Sequence, residues 1–435
     1  MNTKDQNSEK YLKAFNSYFN GQAKQSFHKI REDAIDNFDK LGFPSTKKEE
    51  WRFTNIAGIA KSDFKIAKRN LVDQVTEKDV ESFLYKNWQG TQIVFIDGFF
   101  SEKLSKIENI SDKISIKPLS AHLESDNDFV SEKISQLASY ENEAFVALNT
   151  AFTTEGCAIT IPDNIVEKNG VHIVNIAASA GCLSNPRNML ICGKNSEALV
   201  VESYHTLSDE EVFVNSVTEI FMDENANLYH YKLQNESFKS NHIGNTAINQ
   251  KANSNYISAS FDFGGKLVRN NISTELDGEG INSTLNGLYI AKDAQHIDNH
   301  TFIDHAKAHC ESHELYRGIL KDQAKGVFSG KILVRQDAQK TDAKQSNNCL
   351  LLSEDAQIDA KPQLEIYADD VKCTHGATVG QLDESALFYF RARGIPKEKA
   401  LSMLTYAFAE EVITGVKSKP LQDQVEQLLL QRLSS

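Results

Sequence analysis

From about residue 156 to about 380 the chain carries no helical periodicity; short strands follow one another through turns of one loose design. Each turn runs through acidic or Asn/Gly-rich residues to a small residue and then into alternation. Examples are "KNSEALVVESY" at 194–204, "MDENANLYHYKL" at 222–233, "LDGEGINSTLNGLYI" at 276–290, "LKDQAKGVFSGKILV" at 320–334 and "LSEDAQIDAKPQLEI" at 352–366. The small residues Ala198, Ala226, Gly280, Ala324 and Ala356 recur at uneven intervals, so there is no strict repeat. Many short strands with similar turns and no helices between them predict a parallel β-helix, in which each coil buries its apolar face on the next. A β-sandwich and a jelly roll are the competing all-β solutions.

The flanks read differently. Residues 5–40 are predicted helical, with Tyr11, Phe15, Tyr18 and Phe19 on one stripe. Gly42 and Pro44 break that pattern, and Thr46 with Glu49 three residues on predicts a capping box. Trp51 reads as a packing anchor. A short helix is expected over 78–87, a strand and turn over 91–100, and helical patterns around 115–150. After 383, Asp383 is placed to cap a helix and Gly394 to close it in the left-handed region. Pro396 suits the first turn of the next helix. That helix carries Leu401, Leu404, Phe408 and Val412 at spacings of 3, 4 and 4, a stripe expected to pack against the end of the solenoid. Pro420 opens a last helix with Leu421, Val425, Leu428 and Leu429. The predicted organisation is a mainly helical domain over 1–155, a β-helix core over 156–382 and a helical domain over 383–435.

A net charge of −13 makes nucleic acid a poor partner for the whole chain. No apolar run approaches the ~20 residues of a membrane span, and the N-terminus lacks the apolar region of a secretory signal. Six cysteines, at 157, 182, 192, 310, 349 and 373, form no C-x-x-C pair. They read as mostly buried thiols in a reducing, cytoplasmic compartment.

Two stretches carry ligand chemistry. In "DDVKCTHGATVG", 369–380, Cys373 and His375 stand two apart on a predicted strand, so they share a face about 6.6 Å from one another. Two ligands do not complete a site: zinc usually takes four, and iron–sulfur clusters are held mainly by several thiolates. Either the pair is structural or something else supplies the rest. In 296–313, five histidines (His296, His300, His305, His309 and His313) fall within eighteen residues. On a strand His296, Asp298 and His300 share a face, which fits either a metal-dependent enzyme site or a polar ladder on a sheet. No H-E-x-x-H, nucleophile elbow, Walker loop or glycine-rich phosphate loop is present.

"HIDNHTFIDH", "ELYRGIL", "VKCTHGATVG" and "FYFRARGIPKEKA", with "FPSTKKEEWRFTNI" ahead of them, together resemble the SufB/SufD family of the SUF iron–sulfur assembly machinery. The matches run in order from residue 42 to about 413. The resemblance implies a right-handed parallel β-helix flanked by helical domains. Departures from the SufB pattern put the chain on the SufD side. Phe390 stands where SufB carries a cysteine, Gly376 where it carries a glutamate, and Asn347 and Ala356 where it carries further cysteines on the preceding strand and turn. Cys349 is close to one of those positions.

By that resemblance the chain is a non-catalytic subunit that pairs with SufB through the β-helix, with two SufC ATPases in the complex. His375 then faces SufB and helps build the nascent cluster, with Cys373 on the same strand face. The implied cofactor is a transient iron–sulfur cluster shared with SufB, none held stably by this chain alone. The C-terminal helices dock SufC. Phe388, Phe390, Met403 and Tyr406 cannot all share the inward face of those helices, and such leftover side chains are typical interface anchors. Two rival readings remain: a SufB-like scaffold acting as a homodimer, and a metal-dependent β-helix enzyme using the 296–313 histidines. For the isolated chain a homodimer stays open.

Overall fold

A computed structural model describes residues 6–19, 26–123 and 129–434. Its centre is a β-solenoid of two sheets, one of 11 strands and one of 10. Successive strands of the chain fall alternately in the two sheets. Phe213–Met222, Asn241–Gln250, Leu267–Leu276, His296–His305, Lys325–Val334 and Gln357–Ile366 follow one another in the first. Glu197–Thr206, Asn227–Gln234, Asn255–Asp262, Asn282–Ala291, Glu311–Leu320, Asp342–Leu351 and Lys372–Gly380 do so in the second. All these ladders are parallel and in register, which excludes the sandwich and the jelly roll.

The recurring turns have a backbone cause. Asn195, Asn225 and Asn253 adopt φ of 53, 58 and 58°, and Gly280 follows at 70°. Asparagine and glycine are the residues that enter the left-handed region at least cost. Stacked coils also join these corners: Asn225 Nδ2 donates to Asn195 Oδ1 at 3.0 Å, and Asn195 Nδ2 to Asn164 Oδ1 at 2.9 Å. The small residues that follow, Ala198, Ala226, Ala324 and Ala356, are buried where the next coil passes.

The sheets begin ahead of residue 156. Thr91–Ile96 pairs in parallel with Val171–Ala177, and Ser115–Pro118 runs antiparallel to Cys157–Ile161. The helices Gln6–Tyr18 and Ser26–Leu41 bury Tyr11, Phe15 and Phe38 in a cluster with Trp51 and Phe145. Trp51 is the expected anchor: its ring lies 5.4 Å from Phe145, and the Arg269 guanidinium sits 3.8 Å from its centroid. The capping box expected at Thr46 and Glu49 does not form. Glu49 opens a short 3-10 turn without a side-chain cap, because its carboxylate pairs with Lys361. A capping box forms instead at Thr76 and Asp79, ahead of the helix Glu77–Val80.

The C-terminal helices also correct an expectation. Asp383 caps Glu384–Arg391 by accepting from the Ser385 amide at 2.8 Å, and Gly394 closes it at φ 78°. The next helix, Lys397–Thr414, does not pack on the end of the solenoid. Its buried face is Ala400, Thr405, Ala409, Val412 and Ile413. Of the predicted stripe only Val412 is fully buried, while Leu401, Leu404 and Phe408 are half-covered. The small Ala409 lets the helix lie against the flank of the second sheet, on Leu288, Ile290 and Ile319. Arg317 fixes it there, donating to the Phe408 carbonyl and pairing with Glu411. Among the described residues the far end of the solenoid is left uncovered.

Candidate functional site

That uncovered end carries the candidate site. Lys372–Gly380 pairs on one side with Asp342–Leu351, and Gln357–Ile366 with Lys325–Val334; each is the last strand of its sheet. Their outer edges present unpaired backbone donors and acceptors, a template for another chain. Apolar side chains gather there: Val379 is 53% exposed, and Ile366 and Tyr367 are exposed as well.

Register decides which side chains face inward. In Asp342–Leu351 the residues Ala343, Gln345, Asn347 and Cys349 are buried. Their Cα partners on the last strand are Cys373, His375, Ala377 and Val379. Cys373 and His375 therefore share the inner face, as their spacing requires, on a coil with no further coil above it. Cys373 is half-buried and packs on the core, and burial raises its thiol. His375 is exposed. Cys349 lies on the same inner face one strand down but is fully enclosed. Its sulfur is 3.2 Å from the Tyr289 hydroxyl, and burial raises its thiol too.

The five histidines close in sequence separate in space. His296, Asp298 and His300 do share the outer face of their strand, but the N-terminal region claims them. The Thr54 hydroxyl lies 2.8 Å from His296 Nε2 and donates to Asp298 Oδ2 at 2.6 Å. Arg269 Nη1 donates to the same oxygen at 2.8 Å, and His300 Nε2 is 2.9 Å from Asp298 Oδ1. Burial alone would raise Asp298, yet His300 and Arg269 beside it hold it well below the usual carboxylate range. His305 points inward to the Ser312 hydroxyl at 2.9 Å, and burial lowers it to about 4. His309 occupies a turn at φ 58°, and His313 is half-buried near Glu311. Among the described residues no group of three or more His, Cys, Asp or Glu side chains is arranged to hold a metal ion.

The predicted docking residues divide. Phe388 is 73% exposed and Met403 42%, whereas Phe390 and Tyr406 are half-buried. Tyr406 packs toward Lys419–Ser434, where burial and Glu426 raise its hydroxyl. Sequence reasoning missed Tyr389, which is exposed beside Phe388 with the Arg393 guanidinium 3.4 Å from its ring centroid.

It also missed a polar seam inside the solenoid. His230 Nε2 is 3.0 Å from Glu202 Oε1, and Lys232 Nζ is 2.9 Å from His242 Nε2 and 2.8 Å from Asn270 Oδ1. Burial lowers Lys232, raises Asp262 to about 6 and raises Glu314 to about 7. A cavity of about 20 Å³ beside Lys232 has room for water. The available signal was an ionisable residue at inward strand positions, but inward and outward cannot be told apart until the register is known.

Comparison with known proteins shows the family. The family model for the SufBD core domain of SUF system FeS cluster assembly matches residues 174–408, and that for the SufBD protein N-terminal region matches 1–173. The chain is 33% identical over 416 residues to an iron–sulfur cluster assembly SufBD family protein of Synechocystis, covering 91% of this chain and 89% of that one. It is 31% identical over 404 residues to the iron–sulfur cluster assembly protein SufD of Escherichia coli, covering 91% and 90%. With SufD of Bacillus subtilis it shares 25% over 439 residues, 98% of each chain.

Proposed function

Since the chain belongs to the SufBD family of iron–sulfur cluster assembly proteins, we propose that it is the SufD-type, non-catalytic subunit of a cytoplasmic SUF scaffold. Its open solenoid end pairs with a SufB-type chain, and the nascent cluster is built between them. His375 supplies an imidazole nitrogen and Cys373 a sulfur; the remaining ligands come from the partner. The observation that carries this reading is the incomplete ligand pair on an uncovered coil, next to strand edges ready to pair. A half-site of this kind releases its product, because neither chain alone holds a full ligand set.

The C-terminal helices dock a SufC-type ATPase through Phe388, Tyr389 and Met403. Closure of two such ATPases would pull both helical domains and shear the shared interface, a rearrangement of packed elements. Arg317 and its contacts to Phe408 and Glu411 couple the helix to the sheet whose last strand bears His375.

The test is His375→Ala in cells that depend on this protein for iron–sulfur maturation. The variant is expected to fold and to co-purify with both partners while cluster formation collapses. Normal maturation with the variant overturns the assignment.

A further inference from the structure

Beneath His375 the inner face of the second sheet holds two buried polar side chains, Glu314 and Gln345. Leu285, Glu314, Gln345 and His375 are successive Cα partners, so their side chains stack in one column. Glu314 and Gln345 are 3% and 1% exposed. Gln345 Nε2 donates to the Glu314 carboxylate, while Gln345 Oε1 has no partner among the described residues. The facing sheet makes room for this amide. Gly330 sits opposite, and a Cβ there would lie 2.3 Å from Gln345 Nε2 and 2.8 Å from its Cδ. An apolar pair would fill the column without leaving a buried acceptor unsatisfied, which is costly. The one hydrogen-bonding side chain next in the column is His375; its inward-facing strand neighbours, Cys373 and Ala377, bring a raised thiol and a methyl.

We propose that Gln345, oriented by Glu314, is a positioning residue for His375: its Oε1 accepts the imidazole N–H when the partner chain closes the solenoid end. This rests on the reading of His375 as a cluster ligand. The donor–acceptor order fixes the direction. The Glu314 carboxylate takes the amide N–H, so the amide oxygen is the atom left free to accept from the ring. With one ring nitrogen committed as a donor, the other keeps its lone pair for iron. Histidines that ligate metals generally have such a support, and its loss typically lowers affinity or activity about 10- to 100-fold.

The experiment uses the complex of the full chain with its SufB-type and SufC-type partners, supplied with iron and sulfide, and follows cluster absorbance. Gln345→Met keeps the length and removes the acceptor. It is expected to leave assembly intact, to lower the melting temperature by no more than a few degrees through the lost Glu314 hydrogen bond, and to slow cluster formation about tenfold. Glu314→Gln keeps an acceptor for the Gln345 amide and should stay within twofold of the parent. If Gln345→Met fails to fold, Gln345→Asn withdraws the amide by one methylene with the same expectation. Parental rates in these Gln345 variants, or a loss that only tracks the melting temperature, overturn the proposal. His375→Ala separates the two levels. Cluster formation untouched by His375→Ala removes the ligand reading itself, whereas its loss there with parental rates in the Gln345 variants removes the positioning role alone.

Discussion

Glu314 gives a stability test whose size follows from its surroundings. Burial raises its carboxyl from the ordinary 4.5 to about 7. The folded chain therefore binds a proton that the unfolded chain has released between those values. Stability from this group is fully present below about pH 4.5 and is lost as pH rises through about 7. At 1.36 kcal/mol per unit the loss is about 3 kcal/mol. Glu314→Gln removes the ionisation but keeps an acceptor for Gln345 Nε2, so it should be nearly neutral at pH 4.5 and stabilising by about 3 kcal/mol at pH 8. Unfolding entropy of about 2.1 cal/mol/K per residue amounts to about 0.9 kcal/mol/K for this chain. The expected gain in melting temperature is then about 3 °C at pH 8 and close to zero at pH 4.5. Paired melts of parent and variant across that range give the answer. An equal shift at both pH values, or destabilisation at pH 8, would refute the burial of Glu314 without an opposite charge beside it.

Other expectations follow from named contacts. Asp298→Ala leaves Arg269 buried without its carboxylate and should cost about 3–5 kcal/mol in denaturant titration; a cost below about 1 kcal/mol contradicts the Thr54–Asp298–Arg269 lock. His300 and His305 replaced together should lower stability without removing any tightly bound metal, measured by elemental analysis of the purified chain; loss of one stoichiometric metal would favour an enzyme. Met403→Asp and Phe388→Asp should weaken binding to the SufC-type ATPase with the melting temperature nearly unchanged, whereas Tyr406→Asp should lower the melting temperature. Val379→Lys, at an exposed edge position, should weaken pairing with the SufB-type chain and leave the isolated chain equally stable.

Much of the fold is legible because its causes are local. The left-handed corners at Asn195, Asn225, Asn253 and Gly280 are written in residue type, as are the Asp383 cap and the Gly394 stop. That Cys373 and His375 share a face follows from strand alternation alone. The rest depends on long-range register. Nothing near Glu49 in sequence announces Lys361 as its partner, so the local capping signal is overridden. Lys397–Thr414 is rotated from its leucine stripe because Ala409 permits close approach to the sheet flank. The column of Glu314, Gln345 and His375 appears only once coils of unequal length are aligned. The histidine-rich stretch misleads for the same reason: alternation sends His305 inward, while Thr54, distant in sequence, occupies His296 and Asp298.

The central claim is that this chain holds half of a cluster site. Iron bound per chain, measured anaerobically with sulfide present, tests it most directly on three samples: the chain alone, its complex with a SufB-type chain and SufC-type ATPase, and the same complex carrying His375→Ala. The expected result is no stoichiometric iron on the chain alone, a cluster in the complex, and its loss in the variant. A stoichiometric cluster on the isolated chain, or one that survives His375→Ala in the complex, would contradict the claim.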